Sequence, residues 1–464
     1  MIKLKTATKK NKYEIDMCNG SLMDKLISFS LPLMLSGILQ LLFNAVDIIV
    51  VGRFTGRHAL AAVGSTTALI NMFVNLFIGI SLGVNVLAAR FFAAKKEREM
   101  SETVHTAIAF ALVSGIVMAF VGVFFAKTAL ELMGTPDDVI RLSALYMRLY
   151  FCGMPFFMLY NYGAAILRAI GDTKRPLLFL IIAGIANVAL NLILVVVFHL
   201  GVAGVAIGTI LSQLISSILV VRCLCKAEAS YQLHFSKLSI KGAYMKQIFK
   251  VGIPAGIQST VINFSNVLLQ SSVNSFGSIA MAGYTAANNI FGFLYAATNS
   301  ITQACMSFTS QNYGVGKLKR MDRVLFHCMI LTIVITLLLG GGTYIFGHQL
   351  LGIYTSDAEV IACGIEIFLY TTVTYFLCGL MDLFPGAMRG MGYSFVPMII
   401  SIIGTVGLRI VWIFWVFPNN RSLDVLFISY PASWILTIAM QVTCFLFVRK
   451  RVFRKMKETN VTSI

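Results

Sequence analysis

The chain has 464 residues, of which 58% are hydrophobic and 12% charged, and its formal net charge is +18. Average soluble domains give about a quarter of their residues to charge, so a water-soluble globule of this length is excluded for want of polar surface. Apolar runs of about 20 residues, enough to cross a hydrocarbon core, recur along the whole chain and predict an all-α polytopic membrane protein.

In chain order, residues 1–25 come first, polar and basic, with Lys3, Lys5, Lys9, Lys10, Lys12 and Lys25. They show no cleavage pattern, so the first helix is expected to act as the insertion signal. Apolar segments follow near 26–52, 60–91, 103–126, 139–168, 176–199 and 202–225, then near 246–276, 282–312, 322–347, 358–389, 395–417 and 424–448. Twelve helices put both termini on one side. Most of the 37 Lys and Arg residues fall on that side, including Arg90, Lys95, Lys96 and Arg98, then Lys174 and Arg175, and finally Arg449, Lys450 and Arg451. Only Arg53, Arg57, Lys127, Arg141 and Arg421 fall opposite. The positive-inside rule makes the terminal side cytoplasmic. The charge then serves topology and contact with anionic lipid, and no nucleic-acid partner is expected.

The second half repeats the first at an offset of 221 or 222 residues. Pro32 falls on Pro254, Asn44 on Asn266 and Phe54 on Phe276; after a one-residue slip, Gly56 falls on Gly277 and Lys96 on Lys317. "LRAIGDTKRP" at 167–176 falls on "MRGMGYSFVP" at 388–397, matching Arg168, Gly171 and Pro176 with Arg389, Gly392 and Pro397. Six helices per repeat insert in the same sense, which predicts two bundles related by a pseudo-twofold along the membrane normal, as in transporters that rock one bundle against the other. The expected organisation is a cytoplasmic segment at 1–25, a lobe at 26–225, a linker or tether at 226–245, a second lobe at 246–448 and a basic tail at 449–464.

Asp47 stands in the otherwise apolar run "LLFNAVDIIVVGRF" (41–54). It lies about six residues, ~9 Å at the helical rise, below the outer end of its helix. A charge at the centre of a membrane helix costs about 2.5–3.5 kcal/mol on insertion scales and is tolerated facing a bundle interior, where it commonly does ion or proton work. At matching depth are Asn187 and Asn191, four apart on one face of the fifth helix, and Thr209 on the sixth. This oxygen-donor set suits Na⁺ or a shared proton; interhelical hydrogen bonding is the competing role. The repeat image of Asp47 is Leu269, so coupling is expected to belong to the amino-terminal lobe.

The stretches "PLMLSGILQLLFNAVDIIVVGRFTGRHALAAVG", "ILRAIGDTKRP", "NVALNLIL" and "GVAGVAIGTILSQ" resemble multidrug and toxic compound extrusion (MATE) transporters. The resemblance runs over about residues 21–450. It implies twelve helices in two lobes and cation-driven export of organic, often cationic, drug-like molecules. The family's cation site falls on Asp47, Asn187, Asn191 and Thr209. Many relatives carry a second aspartate where this chain has Asn191, so the resemblance leaves H⁺ and Na⁺ both open.

Gln40 and Asn44 share the stripe of Asp47 on the first helix. Gln258, Asn263, Asn266 and Gln270 on the seventh, with Asn288 and Gln303 on the eighth, are candidates to line a substrate cavity or to bond neighbouring helices. Asp382, before Pro385 on the tenth, is a candidate second acid or substrate anchor. Glu366, Arg148 and Arg409 are the other intramembrane charges, and an interhelical ion pair is expected among some of them. Nine scattered cysteines show no zinc spacing and read as unpaired thiols in a reducing setting. "GVAGVAIG" lacks the dinucleotide spacing and reads as a small-residue packing face. No nucleophile–base set, phosphate loop or cofactor motif appears, so neither enzyme activity nor direct ATP use is expected. The sequence therefore predicts a monomeric antiporter in the cell membrane, with small organic substrates and lipid as partners. A flippase for lipid-linked precursors is the alternative, and it calls for a strongly cationic cavity.

Overall fold

A computed structural model describes residues 13–461, entirely helical with no strand among them. The lysines at positions 3, 5, 9, 10 and 12 lie outside the described residues. In lipid every backbone N–H and C=O must be satisfied within the protein, and uninterrupted helices do this for apolar segments of this length. The elements are α1 (Met23–Phe54), α2 (Arg57–Ala93), α3 (Glu97–Leu132), α4 (Asp137–Cys152), α5 (Met154–Ala169), α6 (Lys174–Leu192), α7 (Gly201–Cys225), α8 (Gly242–Asn274), α9 (Ser278–Gly314) and α10 (Leu318–Ile345). They continue with a short α11 (Gly347–Gly352), α12 (Ala358–Thr371), α13 (Tyr375–Gly390), α14 (Phe395–Ser401), α15 (Leu408–Val411) and α16 (Leu423–Val461).

These make the twelve expected spans. Eight are apolar enough to cross a membrane singly, and two more are bent pairs: α4 with α5 at 45° and α12 with α13 at 48°. The remaining two are α8 and α9, 33 and 37 residues long; polar residues such as Gln258, Asn263, Asn288 and Gln303 dilute their hydropathy. The fourth span breaks at Gly153, with Pro155 at the start of the next helix. The tenth breaks across Thr372–Thr374, at the same place in the repeat. The fifth span ends in a π segment, Ile193–Val197, and the eleventh contains two, Ile402–Gly407 and Trp412–Val416. Backbone geometry repeats as well: Gly56 and Gly277 have φ of 86° and 100°, and Gly171 and Gly392 have 95° and 91°. Residues with side chains adopt that region at a cost, so matching turns need glycine at matching places.

By contact the chain forms two units, one of residues up to Met17 with Ile38–Phe249, the other of Cys18–Gly37 with Lys250 onward. Two of the three divisions fall inside a helix, within α1 and within α8, and the third lies in the segment before α1. In the second unit the start of α1 packs on α9, where Phe29 and Phe308 meet edge to face at 5.6 Å. The core of that unit gathers Leu269, Tyr284, Phe368, Phe427 and Trp434. In the first unit the linker docks on the start of α3. The His234 backbone N–H donates to His105 Nε2 at 3.0 Å, Thr106 donates to the Ser239 carbonyl, and Lys241 pairs with Glu102 at 2.9 Å. The segment after α7 is therefore anchored along its length and is more than a tether.

Candidate functional site

Asp47 meets the fifth span inside the first unit. Asn191, wholly buried on α6, donates from Nδ2 to Asp47 Oδ1 at 2.5 Å and to Asn187 Oδ1 at 3.3 Å. The four-residue spacing of the asparagines stacks them on one helix face, and the two acceptors converge on a single amide. Asn191 Oδ1 is buried without a hydrogen-bond partner, although buried amide oxygens are nearly always bonded. Thr209, the fourth expected member, is half-buried on α7 and turns its hydroxyl to its own helix, donating to the Val205 carbonyl at 2.9 Å.

Two glycines make this approach possible. A methyl on Gly184 of α6 would overlap the Phe43 ring of α1. One turn further along both helices come Asn187 and Asp47, so the bare helix surface at Gly184 sets the spacing that the polar contact needs. A methyl on Gly208 of α7 would overlap Asn191 Oδ1. Close backbone approach through small residues is how membrane helices associate, since lipid is as apolar as leucine and packing must supply the attraction. Sequence reasoning passed over Tyr146 and Tyr150 on α4, whose rings lie 6.2 Å apart within reach of the Asp47 charge. Gln213 of α7 bonds the Tyr150 hydroxyl. The four-residue tyrosine spacing inside an apolar helix was the available signal.

The cavity candidates have varied surroundings. Gln40 and Asn44 on α1 and Asn263 on α8 are exposed, while Asn288 and Gln303 on α9 are half-buried. Gln270 donates to Asn274 at 3.0 Å. Gln258 is buried and accepts from Arg389 Nη2 at 2.7 Å. Asp382, half-buried on α13, lies within range of the Arg389 charge two turns along but forms no ion pair among the described residues.

The expected interhelical ion pair is not formed. Among the described residues, none of the ion pairs involves Glu366, Arg148 or Arg409. Arg148 is exposed, Glu366 shares a hydrogen bond with another acid, Asp424, and Arg409 is held by Asn266 at 2.9 Å. Glu366 and Arg409 are thus met by a like-charged and a neutral neighbour, and Arg148 faces away from the protein interior. Among the described residues, no three His, Cys, Asp or Glu side chains gather as for a metal ion.

An all-helical, twelve-span membrane fold built from two six-helix repeats, with one acid facing amides inside the first, defines a class of membrane carriers. The MatE family profile matches residues 32–193 and again 254–415, and the chain belongs to the multidrug and toxic compound extrusion family. The probable multidrug resistance protein YoeA of Bacillus subtilis (strain 168) is 30% identical over 434 residues, covering 91% of this chain and 93% of that protein. The multidrug export protein MepA of Staphylococcus aureus (strain NCTC 8325 / PS 47) is 21% identical over 378 residues, 82% and 84% of the two chains. In fold, the chain superposes with TM-score 0.88 on an outward-facing multidrug resistance MATE transporter of the MOP superfamily, covering 97% of this chain and 100% of that one at 20% identity.

Proposed function

We propose that this protein is a secondary antiporter of the cell membrane that exports organic, cationic, drug-like molecules in exchange for H⁺ or Na⁺. Asp47 carries the coupling ion, and Asn187, Asn191 and Thr209 complete the cation site. The reading rests on one observation: the carboxylate of a membrane span is bonded by a buried amide whose own oxygen has no partner. Half a turn of the Asn191 amide about its last side-chain bond would bring that oxygen toward Asp47 and Asn187. A cation would then meet three oxygens where an N–H now bridges two. Proton uptake by Asp47 would instead turn its acceptor into a donor. Either event changes the contact between α1 and α6, and an ion shifts a two-state equilibrium only through such a difference between states.

Drug export is favoured by what the relatives from Bacillus subtilis and Staphylococcus aureus are called. The flippase alternative has no such support. The protein works as a monomer in this reading, with both termini in the cytoplasm.

Efflux of a cationic dye from proteoliposomes, with pH and Na⁺ gradients imposed separately, tests the reading. One of the two gradients should drive dye against its own concentration gradient. Dye movement that is equally fast with all ion gradients dissipated would reject antiport.

A further inference from the structure

The second unit holds a buried charge that the coupling cycle above leaves unused. Arg409 sits between the two π segments of the eleventh span and is 3% exposed. Its Nη1 donates to Asn266 Oδ1 on α8 at 2.9 Å, and its guanidinium carbon lies 4.5 Å from the centre of the Tyr430 ring on α16. The Tyr430 hydroxyl in turn meets that of Tyr284 on α9 at 2.7 Å. One guanidinium thus links four spans. Its Nε is buried without a hydrogen-bond partner, and no ion pair of the described residues includes it. Arginine stays protonated in proteins, and a buried charge without a counter-ion is expensive, so its presence calls for a role.

The internal repeat supplies one. Asn266 is the image of Asn44, one turn before Asp47, while the place of Asp47 itself is taken by Leu269, 1% exposed in the apolar core. The π segment Ile402–Gly407 has no counterpart in the fifth span. A π turn accommodates an extra residue, which moves the offset between repeats from 221 to 222 and sets Arg409 at the place of Asn187. The same pair of spans is therefore joined in each repeat. In the first unit α1 meets the fifth span through a carboxylate and amides; in the second α8 meets the eleventh through an amide and a fixed cation.

We propose that Arg409 is a tethered cation, holding permanently in the second unit the positive charge that the Asp47 group takes up and releases in the first. It rests on the reading that Asp47 binds the coupling ion. The second unit then has no ion to exchange, its four linked spans stay in one arrangement, and Arg409 acts as a positioning residue for the transport cycle.

Arg409→Gly, which leaves space for a small ion, tests this in proteoliposomes supplied with millimolar guanidinium or with urea, its neutral counterpart in shape. Gradient-driven efflux should fall roughly tenfold or more, recover with guanidinium and stay low with urea, while neither additive changes the unsubstituted protein. Equal recovery with urea, or efflux undiminished by the substitution, overturns the proposal. Should the glycine variant fail to fold, or respond to neither additive, Arg409→Lys and Arg409→Met decide: lysine must sustain efflux that methionine loses, and equal efflux overturns the proposal. Asp47→Asn measured alongside separates the two readings. Undiminished efflux in that variant rejects the role of Asp47, while the guanidinium and urea arms still report on Arg409.

Discussion

Asp47 is tolerated in its span because a neighbouring helix presents a donor to it. Its position could be read from the sequence, since an acid in an apolar run is conspicuous and the depth of Asn187 and Asn191 follows from counting residues. The direction of each hydrogen bond could not. That Asn191 donates to both acceptors while Thr209 bonds its own helix depends on helix rotation, which residue counting does not reach. The same applies to Arg409, one of three candidates for an ion pair and found on an amide and an aromatic face. Two predictions belong at this scale. Asn191→Leu removes the donor to Asp47 and should lower gradient-driven dye efflux roughly tenfold or more, with the protein still monodisperse in detergent. Gly208→Ala forces Asn191 Oδ1 aside and should produce a similar loss without replacing any proposed ligand; unchanged efflux in that variant would mean the Asn191 orientation is immaterial.

The spans were legible as elements because lipid demands long apolar helices, and their order came through intact. Their bends and π turns did not. Gly153 and Pro155 hinted at the break in the fourth span, but the tenth breaks among threonines that are unremarkable in a helix, and no sequence signal marks the π segments. The docked linker was equally hidden, since its bonds to α3 run largely through backbone groups. At this scale Gly184→Ala should press α1 away from α6 by displacing Phe43. Overpacking of this kind costs about 1–3 kcal/mol, visible as a lower melting temperature in detergent together with weakened efflux. His105→Ala removes the acceptor of the His234 N–H and should make the linker cut faster under limited proteolysis; an unchanged cleavage rate would show that the other linker bonds suffice.

For the whole molecule, the internal repeat was the most informative feature of the sequence, and it recurs in the structure as matched turns, matched bends and a family match to each half. The repeat already set Asp47 against Leu269; what it concealed was the setting of Arg409 in the second unit, on Asn266 and the Tyr430 ring. Topology makes a further prediction. In a cysteine-free background, an impermeant thiol reagent added to intact cells should label Asn420→Cys and leave Lys237→Cys untouched. The reverse pattern would invert the orientation and with it the direction of the proposed exchange.

Uphill dye efflux by the unsubstituted protein and by Asp47→Asn, reconstituted at equal density under the same imposed cation gradient, bears most directly on how transport is powered. The unsubstituted protein should concentrate dye against its gradient, and the variant should only let it equilibrate. Uphill movement by the variant at the same rate would contradict the account.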